Sequence, residues 1–387
     1  MKAMILGAGK GTRVQPLTHD LPKPMVPLLG KPLMEYLIEH LVRNGVTQIM
    51  VNTSHLAPRI EDYFGDGRRF GVQLGYSFEG YMDNGLIIPM PMGSAGGMKK
   101  VQDFGGYFDS TTIVLCGDAL IDLDIAAAVA EHRAQGAMAS LICKQVPWDE
   151  VTNYGVVVAK EDGRVISFQE KPVRAAALSN WVNTGIYVFE PEVLDLIPPG
   201  RMFDIGSELF PMLVERQLPF YAQRREFNWI DIGKIADYWS VTQRLLNREV
   251  PGISIPGQEI APGVHVGLNV RIDWDNTKIT GPVCIGSGCH IERNCQIEGP
   301  VWIGHGSRIG HGARVSRSIV FEHTRVAPGA KFEEHILSGR YCVDSHGRAS
   351  QPAGDAPCQL PWADARLLNA VNPVPPAAKE SVAAFHG

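Results

Sequence analysis

From Ile279 onward an aliphatic side chain returns at every sixth position: Ile279, Ile285, Ile291, Ile297, Ile303, Ile309 and Val315. Glycine follows directly at Gly286, Gly304 and Gly310. A period of six matches neither the turn of an α-helix nor the alternation of an ordinary hairpin sheet. It fits a triangular solenoid in which each side is one short strand with one inward aliphatic residue. Glycine and small polar residues then take the corners, where backbone angles are demanding. The expected domain is a short left-handed parallel β-helix of hexapeptide repeats. Seven in-register sides, at three sides per coil, make a little over two coils.

The preceding two-thirds of the chain has a different texture. Apolar stretches at 2–6, 48–52, 73–77, 112–116 and 139–144 read as strands. Between them, residues 32–44, 57–64 and 125–135 carry apolar positions at helical spacing, with Asp124 expected as a helix cap. Such alternation predicts an α/β domain, a Rossmann-like fold whose mixed sheet is mostly parallel and covered by helices. Ligands of such sheets bind beyond the carboxyl ends of the strands. The 387 residues therefore divide into an α/β domain at 1–245, a linker at 246–260 and the solenoid at 261–346. An Ala-, Pro- and Gln-rich tail at 347–387 follows, loosely ordered around 373–376, in which residues 362–368 are expected to form a short docking helix.

Composition narrows the function classes. A net charge of −5 disfavours a nucleic-acid binder that relies on general phosphate attraction. No apolar stretch is long enough for a bilayer span or a signal peptide, so no membrane partner is expected. The seven cysteines are odd in number, and no pair has CxxC spacing, which points to a reducing, cytoplasmic setting. Cys284, Cys289 and Cys295 lack the spacing of a zinc knuckle.

The chemistry concentrates near the N-terminus. The first strand runs into Gly7-Ala8-Gly9-Lys10-Gly11-Thr12-Arg13, and Pro22-Lys23-Pro24 follows. Glycines let backbone N–H groups approach phosphate oxygens closely. Arg13 offers a planar fork for phosphate and Lys23 a compact charge on a segment stiffened by flanking prolines. The third glycine comes one residue too early for the dinucleotide fingerprint, and no Lys follows the last glycine as a P-loop requires.

With these residues the chain resembles the sugar-phosphate nucleotidylyltransferases, whose signature is Gly-x-Gly-Thr-Arg with a downstream Pro-Lys-Pro. The resemblance continues in order to about residue 345. Gly93-Ser94-Ala95-Gly96-Gly97 looks like the family's nucleotide-contacting turn, and Gly117-Asp118 like its metal-binding strand end. Tyr154-Gly155, Glu170-Lys171-Pro172 and Asn183-Thr184-Gly185 look like its sugar-phosphate segments. Trp229-Ile230-Asp231-Ile232-Gly233 looks like its second metal carboxylate, and a hexapeptide solenoid is a common second domain.

The resemblance implies a reaction and roles. A sugar-1-phosphate oxygen attacks the α-phosphorus of a nucleoside triphosphate in line, and pyrophosphate leaves. The nucleophile is already anionic, so no general base is needed; charge neutralisation and alignment carry the catalysis. Gly7, Ala8, Gly9, Gly11, Thr12, Gly93, Gly96 and Gly117 would contact the nucleotide, with Arg13 and Lys23 on its phosphates. Asp118 and Asp231 would bind Mg²⁺. Lys171 would neutralise the sugar phosphate, with Glu170, Gly155 and Asn183 in the sugar pocket. Taken singly, Asp118 and Asp231 could equally be turn or cap residues, and Glu170-Lys171 a solvated turn.

The sequence leaves the substrate pair open between GTP with mannose-1-phosphate, which the Gly93 turn and the short solenoid favour, and UTP with glucose-1-phosphate. One departure from the family is the stretch 80–92 before that turn, a longer lid or a subunit contact. Two other classes compete. A solenoid acyltransferase would use His290, His305 or His311, and a non-catalytic regulatory homologue would have lost one of Arg13, Lys23, Asp118 or Asp231. The solenoid is otherwise expected to serve homo-oligomerisation or regulation.

Overall fold

The computed structural model describes residues 1–350 and 361–367. The chain forms two compact units, Met1–Val241 and Thr242–Gly387.

The first unit is built on a nine-stranded mixed sheet. Its parallel half has the spatial order Thr112–Cys116, Lys2–Leu6, Gln48–Thr53, Gln73–Phe78, all in one direction. Lys2–Leu6 is central because its middle residues, Ala3, Met4 and Ile5, are wholly buried between helical layers. A run apolar on both faces belongs in the interior of a covered sheet. The long strand Trp181–Phe189 joins the halves, antiparallel to Thr112–Cys116 on one edge and to Ala139–Gln145 on the other. The strand Ala139–Gln145, read above as one more unit of the alternating series, therefore pairs with the antiparallel half. Phe220–Arg224 runs parallel beside it.

Helix Leu33–Arg43 buries Met34, Leu37, Ile38 and Leu41, and Ala57–Phe64 buries Ile60 and Phe64, on one face of this sheet. Ser94–Gly105 buries Met98 and Val101 on the other, with Leu209, Phe210 and Phe220. Helix Ile125–Ala134 starts where Asp124 accepts the Ala127 N–H at 2.9 Å, the expected cap. The departure at 80–92 is a hairpin, Gly80–Asp83 against Leu86–Pro89. Its tip is Asn84-Gly85, both at positive φ (47° and 81°), the pairing that a two-residue turn favours.

The second unit is the solenoid. Its short strands stack into three parallel sheets, and one of these, Lys278–Thr280, Gln296–Glu298, Arg314–Ser316, Lys331–Glu333, has one strand per coil. Four coils are thus complete, not the two expected. The sequence period hid the outer coils because the repeat changes length. Val266 pairs with Ile285 nineteen residues on, Ile285 with Ile303 after eighteen, and Ile303 with Val320 after only seventeen. The inward positions of the later coils are Val320, Val326, Phe332 and Leu337, all buried. At the corners the coils touch through their backbones: a Cβ on Gly304 would stand 2.5 Å from the Glu322 nitrogen.

The expected docking helix is not formed. Residues 362–367 form a strand, Trp362–Asp364, and one 3-10 turn rather than a docking helix; residue 368 lies outside the described residues. The strand pairs antiparallel with Thr324–Val326 and buries Trp362 against Phe332. It covers the last edge of its sheet, which would otherwise present unpaired backbone groups. Cys284, Cys289 and Cys295 are separate core residues; the Cys289 thiol donates to the Gly304 carbonyl and Cys295 to that of Gly310. Burial pushes the Cys289 thiol up to about 11. Cys358 and residues 373–376 lie outside the described residues.

Because each coil buries one aliphatic residue per side, the stack is sensitive to a single cavity. Ile303→Ala, at a wholly buried position in the third coil, is expected to cost about 3 kcal/mol. Denaturant unfolding followed by a probe in the solenoid should show it, and a loss under about 1 kcal/mol would contradict this packing.

Candidate functional site

The four parallel strands end at one edge of the sheet, and the glycine loop and Gly117-Asp118 follow directly from two of them. Lys2–Leu6 leads into the loop Gly7–Gly11. The Gly7 N–H is donated to the Asn52 side-chain oxygen at 2.8 Å. Gly11 takes φ +62°, and a Cβ there would lie 3.0 Å from both Lys23 and Thr18 side-chain atoms. The loop closes through Thr18 Oγ1 donating to the Gly11 carbonyl at 2.8 Å and Val14 N–H to the same oxygen at 3.0 Å. Among the described residues, no protein acceptor faces the backbone N–H groups of Ala8, Gly9, Lys10, Gly11, Thr12 or Arg13. Successive free N–H groups form a cradle suited to an anion.

A buried polar lock holds this cradle. Glu79, 1% exposed, accepts the Asn52 amide at 2.7 Å and the Met92 N–H at 2.8 Å. Burial pushes its carboxyl pKa up while those two donors pull it back. Asn52 therefore bridges the loop to Glu79, and Glu79 bridges Asn52 to the segment after the hairpin. Helix Ser94–Gly105 crosses so close that a Cβ on Gly97 would sit 2.3 Å from Glu79 Oε1. At its start, the Ala95 and Gly96 N–H groups are both donated to the Phe203 carbonyl, at 3.0 and 2.9 Å. Gly93 stands at φ +74°, with Phe203 against it. Ser94 Oγ donates to Asp204, whose other oxygen accepts the Gly206 and Ser207 N–H groups. The glycine turn at 93–97 is thus a structural joint whose Gly96 N–H is already committed.

Beside the loop lies a centre of opposed charge. Gly117 donates its N–H to the Leu6 carbonyl at 3.0 Å, bringing Asp118 to the end of its strand. Trp229–Asp231 pairs antiparallel with Ala119–Ile121, Asp231 opposite Ala119, and the Ile232 N–H reaches the Asp118 carbonyl. The two carboxylates are therefore neighbours. Burial, then the Asp118 charge, pushes Asp231 up to about 6, against the pull of Lys23 and Arg13. Lys23, 8% exposed, contacts Asp118 at 2.6 Å. Arg13 is exposed; one of its guanidinium nitrogens is 3.8 Å from where a Gly233 Cβ would stand. Asp237 fixes that turn by accepting the Gly233 and Lys234 N–H groups at 3.0 and 2.9 Å.

This donor set fits a hard divalent cation. A carboxylate whose pKa is raised by burial and by a neighbouring carboxylate, as that of Asp231 is, is relieved by a cation between the two. Among the described residues no three His, Cys, Asp or Glu side chains are grouped as metal ligands. A cation here would draw its remaining ligands from water and a bound phosphate, as Mg²⁺ commonly does.

The other predicted segments converge on the same centre. Tyr154 packs at a tilt against Trp229, two residues before Asp231, with ring centroids 5.1 Å apart. Gly155 pairs with Glu170, and Glu170 holds Lys171 at 2.8 Å with both side chains well exposed. Lys171 stands at φ +43°, which turns the chain sharply. Asn183 accepts the Gly185 N–H at 3.0 Å and donates to the Tyr187 hydroxyl at 3.0 Å. A Cβ on Gly185 would meet the Cys116 sulfur at 2.8 Å, so this segment packs two residues from Asp118.

Sequence reasoning missed Asn52, Glu79, Asp204 and Asp237. The available signal was a polar residue where apolar strands end: Asn52 interrupts an apolar run and Glu79 directly follows Phe78. Asn52→Ala would leave the Gly7 N–H without its acceptor and the Glu79 carboxylate short of a donor. A loss of about 2–3 kcal/mol in unfolding free energy is expected, and an unchanged denaturation midpoint would contradict the lock.

The nucleotidyl transferase family model matches residues 2–248, and the model of the GMPPB C-terminal domain matches residues 279–351. The UTP–glucose-1-phosphate uridylyltransferase of Synechocystis sp. is 54% identical over 349 residues, 90% of each chain. The mannose-1-phosphate guanylyltransferase of Mycobacterium tuberculosis is 30% identical, over 86% of this chain and 82% of its own. A solved Bacillus anthracis protein, described as a candidate glucose-1-phosphate thymidylyltransferase in complex with sucrose, shares the fold with a TM-score of 0.55. It is 24% identical and covers 66% of this chain and 98% of its own. Family match, sheet topology and the order of motifs agree: the chain belongs to the nucleotidyl transferase family.

Proposed function

We propose that this enzyme transfers a uridylyl group from UTP to glucose-1-phosphate, with Mg²⁺, and releases pyrophosphate. The observation that carries the reaction is the row of free N–H groups from Ala8 to Arg13 beside Lys23, Asp118 and Asp231. The N–H groups of Ala8, Gly9, Gly11 and Thr12 cradle the triphosphate. Lys23 sits one contact from the centre, placed to turn toward a phosphate oxygen, and Arg13 neutralises the departing pyrophosphate. Asp118 and Asp231 hold Mg²⁺, which supplies charge neutralisation where the two polyanions meet. Lys171 takes the sugar phosphate, Glu170 the sugar hydroxyls, and Gly155 and Asn183 shape the sugar pocket. Gly7, Gly93, Gly96 and Gly117 bring the backbone close to the nucleotide.

The base and sugar follow the uridylyltransferase that is 54% identical over nine-tenths of both chains. This reverses the expectation of GTP with mannose-1-phosphate. That pair remains a second reading, supported by the GMPPB C-terminal domain match and the relative at 30% identity. Neither rival class gains support. Arg13, Lys23, Asp118 and Asp231 are all present and converge, unlike a homologue that has lost its chemistry. His290, His305 and His311 lie exposed on a solenoid whose family match is to the GMPPB C-terminal domain.

Pyrophosphate release from a matrix of four nucleoside triphosphates and several sugar-1-phosphates tests the assignment. UTP with glucose-1-phosphate and Mg²⁺ is expected to exceed every other pair by at least about tenfold. A preference for GTP with mannose-1-phosphate would overturn the substrate assignment and leave the reaction standing. Asp118→Asn is expected to lower turnover by about 100-fold or more with unchanged unfolding, and near-normal turnover would remove Asp118 from the centre.

We also propose that the solenoid mediates self-assembly in a reducing compartment, supported by Leu268, 78% exposed on its surface, and by six unpaired thiols among the described residues. Leu268→Arg is expected to lower the assembled mass in sedimentation equilibrium, and an unchanged mass would count against this surface.

A further inference from the structure

The solenoid carries a column of basic residues that the fold leaves without carboxylate partners. On one of its three sheets, Arg271, His290, Arg308 and Arg325 occupy the same register position on successive parallel strands. Their neighbours Ile291, Ile309 and Val326 point inward and are buried, so the charged side chains face outward. Parallel strands are about 4.8 Å apart, and the like charges of Arg308 and Arg325, directly opposite one another, destabilise the sheet. Among the described residues, Arg271, Arg308 and Arg325 have no ion pair, and the Arg325 Nε is buried without an acceptor. The same solenoid neutralises its cations elsewhere: Arg317 is paired with both Glu333 and Glu334. The column is therefore a cost that the sequence retains at one face.

A cavity of about 760 Å³ opens at the start of this column. It is lined by Arg271, His290, Arg293 and His311, together with Trp274, which is 49% exposed. Two carboxylates share it, and neither is spent on an arginine. Asp273 receives the Asn276 amide on both oxygens at 3.1 Å, and Glu292 accepts the His311 N–H at 2.7 Å. The frame is rigid, since Arg271, His290 and Glu292 donate their N–H groups to the next coil, each at 2.9 Å.

Two unpaired guanidinium groups and two imidazoles suit phosphate oxygens. An open indole at the same cavity suits a flat ring, because stacking on an aromatic side chain is tolerant of which base it meets. The fixed carboxylates can accept hydrogen bonds from ribose hydroxyls or base N–H groups. The volume is in the range that encloses a small ligand. From these features we infer that the solenoid has its own binding site for a nucleotide, separate from the centre in the first unit, with phosphates on Arg271 and Arg293 and the base on Trp274. Because the charges are exposed, its affinity falls with ionic strength.

The test is equilibrium dialysis of the full-length protein with radiolabelled UTP, without Mg²⁺, at low salt. Two sites per chain are expected. The double variant Arg271→Ser/Arg293→Ser weakens one of them by about tenfold or more and leaves turnover unchanged, and Trp274→Phe removes a binding-induced quench of tryptophan fluorescence. Lys23→Ala weakens the other site. Binding that is indifferent to both the arginine pair and Trp274 would overturn the inference. If Lys23→Ala has no effect while the arginine variant loses a site, the solenoid site stands and the catalytic reading falls.

Discussion

Asp118 and Asp231 place two negative charges side by side at the end of adjacent strands, partly out of water, and the rest of the edge is arranged around that repulsion. Lys23 is drawn in to contact Asp118, although it is itself mostly buried. Arg13 is brought to the same turn by the loop that follows the first strand. Asp237 spends its carboxylate on the Gly233 and Lys234 N–H groups, so that Asp231 cannot relax away. Even so, Asp231 is left with a carboxyl pushed up to about 6. A site with that imbalance favours an arriving divalent cation and, with it, the phosphates that complete the cation's shell.

The anion side of the centre is prepared just as firmly. A loop of glycines is free to wander unless something fixes it, and a cradle that must be ordered at each turnover loses binding energy to ordering. Here the fixing group is a buried carboxylate. Glu79 holds Asn52, Asn52 holds Gly7, and Glu79 also holds the Met92 N–H, so one side chain ties the loop to the start of helix Ser94–Gly105. Burying an acid is costly unless its oxygens are used; Glu79 uses both. Preorganised donors aimed at a phosphate need no rearrangement when charge shifts during transfer.

Much of this was legible in the sequence. The strands of the parallel half, the helices Leu33–Arg43, Ala57–Phe64 and Ile125–Ala134 and the Asp124 cap followed from period and punctuation, whereas helix Ser94–Gly105 did not. Gly7 to Arg13, Lys23, Asp118, Asp231 and the segments at 155, 170 and 183 were found by motif, and the fold gathers them. What escaped notice has physical reasons. The repeat is nineteen residues from Val266 to Ile285, eighteen from there to Ile303 and seventeen to Val320, which breaks a strict period and conceals the first and last coils. The residues around Trp362 form a strand because an open sheet edge decided their conformation, a fact remote in sequence. Asn52 and Glu79 matter through contacts across twenty-seven residues, which no local pattern reveals. The Gly93 turn was recognised, yet its Gly96 N–H proved committed to Phe203, so recognition of a motif did not foretell which of its atoms are free.

The most direct test is a crystal structure of the protein grown with UTP and Mn²⁺, with the anomalous signal locating the metal. The account predicts a single strong peak between the Asp118 and Asp231 carboxylates, with triphosphate oxygens along the Ala8 to Arg13 N–H groups. A metal bound away from that carboxylate pair, or a triphosphate seated off the loop, would contradict it.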